Sequence, residues 1–318
     1  MRVDFGRLNW GVFLIALGSV PLAYHEGGIA ASTLSDAWRL WPLVIVGIGL
    51  AFVLSRTPAF FVSGLIVAAT MGLVFGSAVA LGPNVGCGSD GSGSRTVSQA
   101  GSLGSKSSVE LDLQCGSADV TASPDGQWHV DATNTNGSVP QITATSDGLR
   151  VGPTGNDWAL SRGTDDWHIQ LPVESQIDLA STIDLGDAHF NLGRANLSSA
   201  SFTVNVGSID LDLTGAQVGH LDIETNLGSA RLILDGASDV EGALKTSLGS
   251  LDVCVPSELG VRVVFSGSFS SSDFGAAGLV QSANAWQSPN YATAAHTADF
   301  TIDTSLGSVK FEQAGGCK

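Results

Sequence analysis

The chain has 318 residues, with 14 Lys+Arg against 30 Asp+Glu for a net charge of −16, 43% apolar residues, only 14% charged residues and 40 glycines. That apolar content excludes a disordered chain, the glycines lack the period of three of collagen, and without a basic stripe nothing displaces the counterions of a nucleic acid. The charge is uneven: residues 1–82 hold four Arg and three acids, whereas 83–318 hold 10 basic and 27 acidic residues, a net −17, together with all four cysteines.

The first 82 residues read as a membrane region. Three stretches lack charge, Leu8–Tyr24, Leu40–Ser55 and Pro58–Gly82, of 17, 16 and 25 residues. A span needs about 20 apolar residues, so the third suffices alone and the first two need their flanks. Trp10, Trp38 and Trp41 suit the interfaces. A cleaved leader is the competing reading of Arg2, Arg7 and the first run, but no small-x-small site follows and further apolar runs do. A lipobox before Cys87 fails on Asn84. Positive residues favour the cytoplasmic side. Arg2, Arg7 and Arg56 therefore place the N-terminus and the second connection inside, Arg39 being the one dissenting charge. An odd number of spans then sends the rest of the chain out. Gly72 and Gly76 form a G-x-x-x-G pair that permits close helix contact; the abundance of glycine in membrane helices explains them equally well.

Residues 83–108, rich in Gly and Ser, read as a flexible tether. Beyond them Gly186, Gly207, Gly228 and Gly249 recur every 21 residues. Two, four and six residues after each glycine the chain is apolar: Ala188, Ile209, Ala230, Leu251; Phe190, Leu211, Leu232, Val253; Leu192, Leu213, Leu234, Val255. Sixteen after come Phe202, Ile223, Leu244 and Phe265. Polar residues such as Asp210, Asp212, Arg231 and Asp252 sit between, the alternation of a half-buried strand. Trp167, Ile169 and Leu171 fit one upstream copy, and Leu306–Phe311 repeats the pattern out of strict register. Such a two-strand unit cannot bury its own apolar face, so stacking is required. The spacing predicts an all-β domain over 109–318, a β-solenoid of stacked two-strand repeats with the glycine at a positive-φ corner. Asp184, Asn205, Asn226, Ser247 and Ser305 would form a polar ladder beside it. A β-sandwich is the competing fold, though it needs no fixed period.

Two sets of segments carry a resemblance. NWGVFLIALGSVPLAY (9–24) and WRLWPLVIVGIGLAFVL (38–54) resemble the LiaI/LiaF-type transmembrane region. LGSLDVCVPSELGVRVVFSG (248–267) and SPNYATAAHTADFTIDTSLGSVKF (288–311) resemble the C-terminal domain of LiaF-like cell-wall-stress proteins and the related putative-adhesin (toast-rack) domains. The resemblance implies a membrane-anchored β-solenoid that regulates envelope-stress signalling through protein contacts, with a membrane histidine kinase or another envelope protein as partner. It also implies a cytoplasmic domain, against the extracytoplasmic placement given by the charges. It supplies no catalytic residue.

The search for chemistry finds little. Gly86–Gly91 matches G-x-G-x-x-G but lies in the tether, without strand or helix around it. G-x-S-x-G is absent. No two of His25, His129, His168, His189, His220 and His296 lie three to five apart, as a local metal pair requires. Asp187, Asp210, Asp212, Asp222, Glu224, Asp235 and Asp252 do not share one column, and Arg231 interrupts the one that reads His189, Asp210, Arg231, Asp252; that is a solvated face rather than a calcium column. Trp128, Trp158, Trp167 and Trp286 are candidates for a glycan or lipid groove, Trp167 falling in a core column. The expectation is therefore no enzyme, no cofactor, no metal site and no nucleic acid, with the lipid bilayer as one partner. The cysteines Cys87, Cys115, Cys254 and Cys317 are even in number and extracytoplasmic by the charge rule, where oxidation is allowed. Three pairings are open; position in the chain favours Cys87 with Cys115 and Cys254 with Cys317, and four free thiols in a cytoplasmic domain is the alternative. Two functions compete: an envelope-stress sensor or regulator, and a structural or adhesive surface module.

Overall fold

The computed structural model describes residues 11–15, 19, 68–73, 93–153 and 163–313. The chain forms two compact units, Met1–Gly86 and Cys87–Lys318. In the first, 11–15 and 68–73 are helical. The rest of the three predicted spans lies outside the described residues, and among the described ones no helix is long and apolar enough to cross a membrane.

The second unit is a mixed sheet of fifteen strands. Six long strands are bent rungs: β2 (Lys106–Ser123), β7 (Gln176–Asn191), β8 (Asn196–Asp212), β10 (His220–Ile233), β11 (Val240–Val255) and β15 (Thr297–Gln313). They stack in that order, parallel and in register. Gly228 lies between Gly207 and Gly249, and Leu232 between Leu211 and Val253. The predicted columns counted from Gly186, Gly207, Gly228 and Gly249 therefore hold, with Ile302 of β15 standing between Leu244 and Phe265 in the last of them, which removes the sandwich, whose sheets are antiparallel. β12 (Gly260–Ser272) adds the last rung beyond β15.

Each rung has two arms meeting at the glycine. In β10, Leu221, Ile223 and Thr225 are buried in the first arm and Ala230 and Leu232 in the second, while Asn226, Leu227, Gly228 and Ser229 between them are not. The arms thus enclose the core and the bend faces outward. Phe190, from a second arm, meets Phe202, from a first arm, edge to face at 4.8 Å, an arrangement worth about 1 kcal/mol beyond the area it buries. Turns return the chain from one rung to the next, and inter-rung bonds continue through them, as in Leu213 N to Ile233 O at 3.0 Å.

Three expectations need correction. The tether does not run to residue 108: β1 (Arg95–Gly101) is an edge strand antiparallel to β3 (Trp128–Asn134), and β2 opens at Lys106. Alternating Thr, Ser and Gln suit a strand exposed at a sheet edge, which composition alone does not separate from a linker. The upstream copy, β6 (Asp165–Pro172), does not precede β7 in the stack. It carries a second arm only, and β2 lies between them, its Ala118 paired with Trp167 on one side and with Ala188 on the other. β4 (Gln141–Thr145) and β5 (Gly148–Gly152) continue the first-arm side at β2. Finally, the last copy is fully in register, Leu306 on Leu248 and Gly307 on Gly249. Its sequence phase is lost because β12, β13 (Val280–Ser282) and β14 (Ala285–Gln287) are inserted between β11 and β15.

Candidate functional site

The corner begins with glycine. Gly116, Gly186, Gly207, Gly228, Gly249 and Gly307 have φ between 136° and 154°, a region closed to other residues. A Cβ on Gly228 would stand 1.7 Å from the carbonyl oxygen of Gly207, and one on Gly249 1.7 Å from that of Gly228. The glycine column is therefore fixed by its own stacking. It turns the preceding side chain outward. Leu185 is half-buried, and Val206, Leu227, Leu248, Leu306 and Phe269 are 36, 46, 47, 51 and 82% exposed, each aligned with its neighbour. At about 4.8 Å per rung they form a continuous apolar ridge, aliphatic up to Leu306 and aromatic at Phe269.

Small polar residues line the ridge. On one side Asn205 Nδ2 donates to Asp184 Oδ1 at 2.8 Å, Asn226 Nδ2 to Asn205 Oδ1 at 2.9 Å, and Ser247 Oγ to Asn226 Oδ1 at 3.4 Å. This is the predicted corner ladder. On the other side Ser208, Ser229, Ser250 and Ser308 follow the glycines in register.

The outer face of the second arm carries a longer ladder than the sequence suggested. Reading across β3, β6, β2, β7, β8, β10, β11 and β15, one column runs Asp131, His168, Asp119, His189, Asp210, Arg231, Asp252, Lys310. Acid and base alternate without a break. His168 Nδ1 is 3.5 Å from Asp119 Oδ2 and His189 Nδ1 3.2 Å from Asp210 Oδ2. The remaining described histidines also face carboxylates: His129 on Asp125, His220 on Asp222 and His296 on Asp239. At the last of these, the imidazole and the Thr297 N–H bond the two carboxylate oxygens at 2.8 and 2.9 Å and hold the Asp239 carboxyl below its usual range.

The Asn-Tyr element at 290–291 is structural. Asn290 Nδ2 donates to the carbonyls of Ser257 and Glu258, and the Tyr291 hydroxyl donates to Asp299 Oδ1 at 2.8 Å. Burial first, and that bond second, push the phenol above its usual value. These contacts pin the excursion that carries β12 to β14.

The predicted groove of tryptophans does not form among the described residues. Trp128 and Trp167 are buried core residues and Trp286 packs partly buried against the core; Trp158 lies outside the described residues. A cavity of about 10 Å³, lined by Asp112, Asn134, Asp165 and Trp167 among others, has room for one water. The buried Trp167 Nε1 has no protein partner. Among the described residues no three His, Cys, Asp or Glu side chains converge on a point that could hold a metal ion. Cys115 and Cys254 are buried and neither is a free thiol. They are not brought together: Cys115 aligns with Leu185 in the ridge column and Cys254 with Ile233 and Glu312. Cys87 and Cys317 lie outside the described residues.

A parallel stack of this kind, with linear ladders and a cavity no larger than a water, offers surfaces for contact. Residues 92–235 match the family described as the N-terminal domain of toast_rack, DUF2154. No curated protein matches the chain. Similar solved structures include a putative cell adhesion protein from Clostridium sporogenes (14% identity, 69% of this chain and 100% of that chain, TM-score 0.44). They also include a putative adhesin from Bacteroides fragilis (14%, 68% and 97%, 0.27) and one from Parabacteroides merdae (12%, 68% and 96%, 0.27).

Proposed function

We propose that this is a non-enzymatic, multi-pass membrane protein whose β-solenoid body senses or regulates envelope stress through protein contacts. The observation that carries the reading is the surface: in-register ladders of apolar, amide and alternating charged side chains present extended contact faces, while the cavity has room for one water. Residues 8–82 supply three apolar runs for the bilayer, and a membrane histidine kinase or another envelope protein is the partner class. The family match over 92–235 fits such a body. A structural or adhesive surface module is the second reading, favoured by the same extended faces if the body only presents a surface.

We place the body outside the cytoplasmic membrane, with Cys87 paired to Cys115 and Cys254 to Cys317. The state of Cys115 and Cys254, neither of them a free thiol, supports an oxidising compartment. Treating intact cells with a membrane-impermeant thiol reagent tests the placement. Labelling is expected only after reduction. Labelling that instead requires permeabilised cells, with no reduction, puts the body in the cytoplasm and overturns the disulfides and the adhesive reading together. Co-purification of a histidine kinase separates regulator from adhesin.

A further inference from the structure

The ridge of Val206, Leu227, Leu248, Leu306 and Phe269 is apolar, exposed and unexplained by folding, since the glycine column alone makes the corner. Its surroundings are unlike the rest of the body. The three rungs carrying Leu227, Leu248 and Leu306 present Glu224, Lys245 and Asp303 on one flank and Arg231, Asp252 and Lys310 on the other. Three bases stand against three acids, in a body whose sum is −17. Nearer still are only Asn226, Ser247, Ser305, Ser229, Ser250 and Ser308. Over these three rungs the apolar line thus runs along a face with no net charge, and the Val206 rung adds the single charge of Asp210.

We propose that this ridge rests in the interfacial layer of a lipid bilayer, laying the body lengthwise against the membrane. The inference rests on the membrane-anchored reading above. Shape selects the occupant. The corner is convex and one side chain wide, and two such edges meet along a line, far short of the roughly 1,200 Å² that a stable protein interface buries. A second copy would also bring −17 against −17. A lipid interface deforms around a convex edge and needs no matching groove, and the amide and hydroxyl flanks suit the headgroup level. The chain itself brings a bilayer within reach: the last apolar run ends at Gly82, thirteen residues before Arg95, a distance of at most about 45 Å. The exposed aliphatic side chains amount to roughly the carbon count of one myristoyl chain, whose membrane association is weak and reversible, on the order of 10⁴ M⁻¹. A tether that holds the body at millimolar effective concentration makes such a contact frequent while leaving it releasable. Docked in this way, the outer faces of both arms, charge ladder included, stay open to a protein partner.

The test uses the full chain in phosphatidylcholine–phosphatidylglycerol (3:1) vesicles whose acyl chains are brominated. Leu248→Trp puts a reporter on the ridge and Gln170→Trp puts one on the outer face of β6; both positions are exposed, so folding is preserved and circular dichroism checks it. After subtraction of the unsubstituted chain, quenching at Leu248→Trp is expected to exceed that at Gln170→Trp at least threefold. Equal quenching in chains that float with the vesicles overturns the inference and leaves the membrane anchor standing. Equal quenching together with ridge-to-ridge crosslinks assigns the ridge to a second copy and overturns it as well. Chains that do not float at all overturn both the anchor and the ridge contact.

Discussion

Gly228→Ala tests the corner directly. The added methyl would lie 1.7 Å from the Gly207 carbonyl oxygen and 2.8 Å from its carbon, where real contacts exceed 3 Å, and both atoms are backbone. At φ 146° an alanine is strained by about 1–3 kcal/mol before any overlap is counted. Relieving the overlap means moving β10 away from β8 at the corner by more than an ångström. That breaks or stretches about two ladder hydrogen bonds, at roughly 1 kcal/mol each. The sum is about 3–5 kcal/mol, a large part of the 5–15 kcal/mol typical of a domain, and lowers the melting temperature by on the order of 10 °C. The assay is thermal unfolding of the fragment 83–318, which keeps Cys87, β1 and all of β2, with Ser229→Ala as the neighbour control. A half-exposed serine loses about 0.5 kcal/mol or less. Equal melting of the two variants would refute the stacked-glycine account of the corner.

Two further outcomes follow from buried and paired groups. The hydroxyls of Thr225 and Thr304 are buried without a partner, so Thr304→Val, which keeps the shape and removes the orphan, should leave stability unchanged or raise it by up to about 1 kcal/mol in urea unfolding; a clear loss would mean the hydroxyl is bonded. The Asp239 carboxyl is held below its usual value first by His296 and then by the Thr297 N–H, so its stabilisation is present above the unfolded value near 4 and disappears as pH falls through the folded one. Asp239→Asn should therefore lower stability modestly at neutral pH and flatten the acid limb of the stability–pH curve, the two proteins converging at low pH, and an identical acid limb would sink the assignment.

What the sequence discloses is periodic, and what it hides is inserted. The columns through Phe190, Leu211, Leu232 and Val253 can be written down because a parallel in-register stack repeats the same environment at the same interval. β2 is hidden although Cys115-Gly116-Ser117-Ala118 has the spacing of Leu227-Gly228-Ser229-Ala230, because the strands β3 to β6 push it out of phase. β15 shows the same motif in sequence but looks out of register, for the same reason. The ridge is visible only as an aliphatic residue before each glycine. Alternation alone does not say on which side that residue points, because the positive φ resets the inside–outside phase at the corner. The column through His189, Asp210, Arg231 and Asp252 follows from the period, but its continuation through Asp119 to His168 does not, because Asp119 stands on a rung that the inserted strands throw out of phase.

The charge ladder follows from a conflict inherent in repetition. Stacking identical repeats in register places each residue on its own copy, which favours glycine, leucine and asparagine columns and penalises a column of like charge. In this column the sign alternates rung by rung, so Arg231 stands between Asp210 and Asp252, and Asp252 between Arg231 and Lys310. Arg231→Asp converts two attractions into two repulsions at about 4.8 Å. Each exposed pair is worth about 0.2–1 kcal/mol, so the reversal should cost about 1–2 kcal/mol at low salt. It should shrink as ionic strength rises and the Debye length falls below the rung spacing, near 1 M salt. A non-electrostatic loss, such as missing packing from the Arg231 stem, would persist in salt. Adding Asp252→Arg to Arg231→Asp restores opposite charges between those two rungs, but it sets the introduced arginine beside Lys310 and the introduced aspartate beside Asp210. Recovery should therefore be partial, and completing the exchange with Lys310→Asp should improve it. Urea unfolding of the fragment 83–318 at low and high salt reads all three variants. If Arg231→Asp is as stable as the unsubstituted protein at low salt, the alternation is not an electrostatic adaptation to the stack.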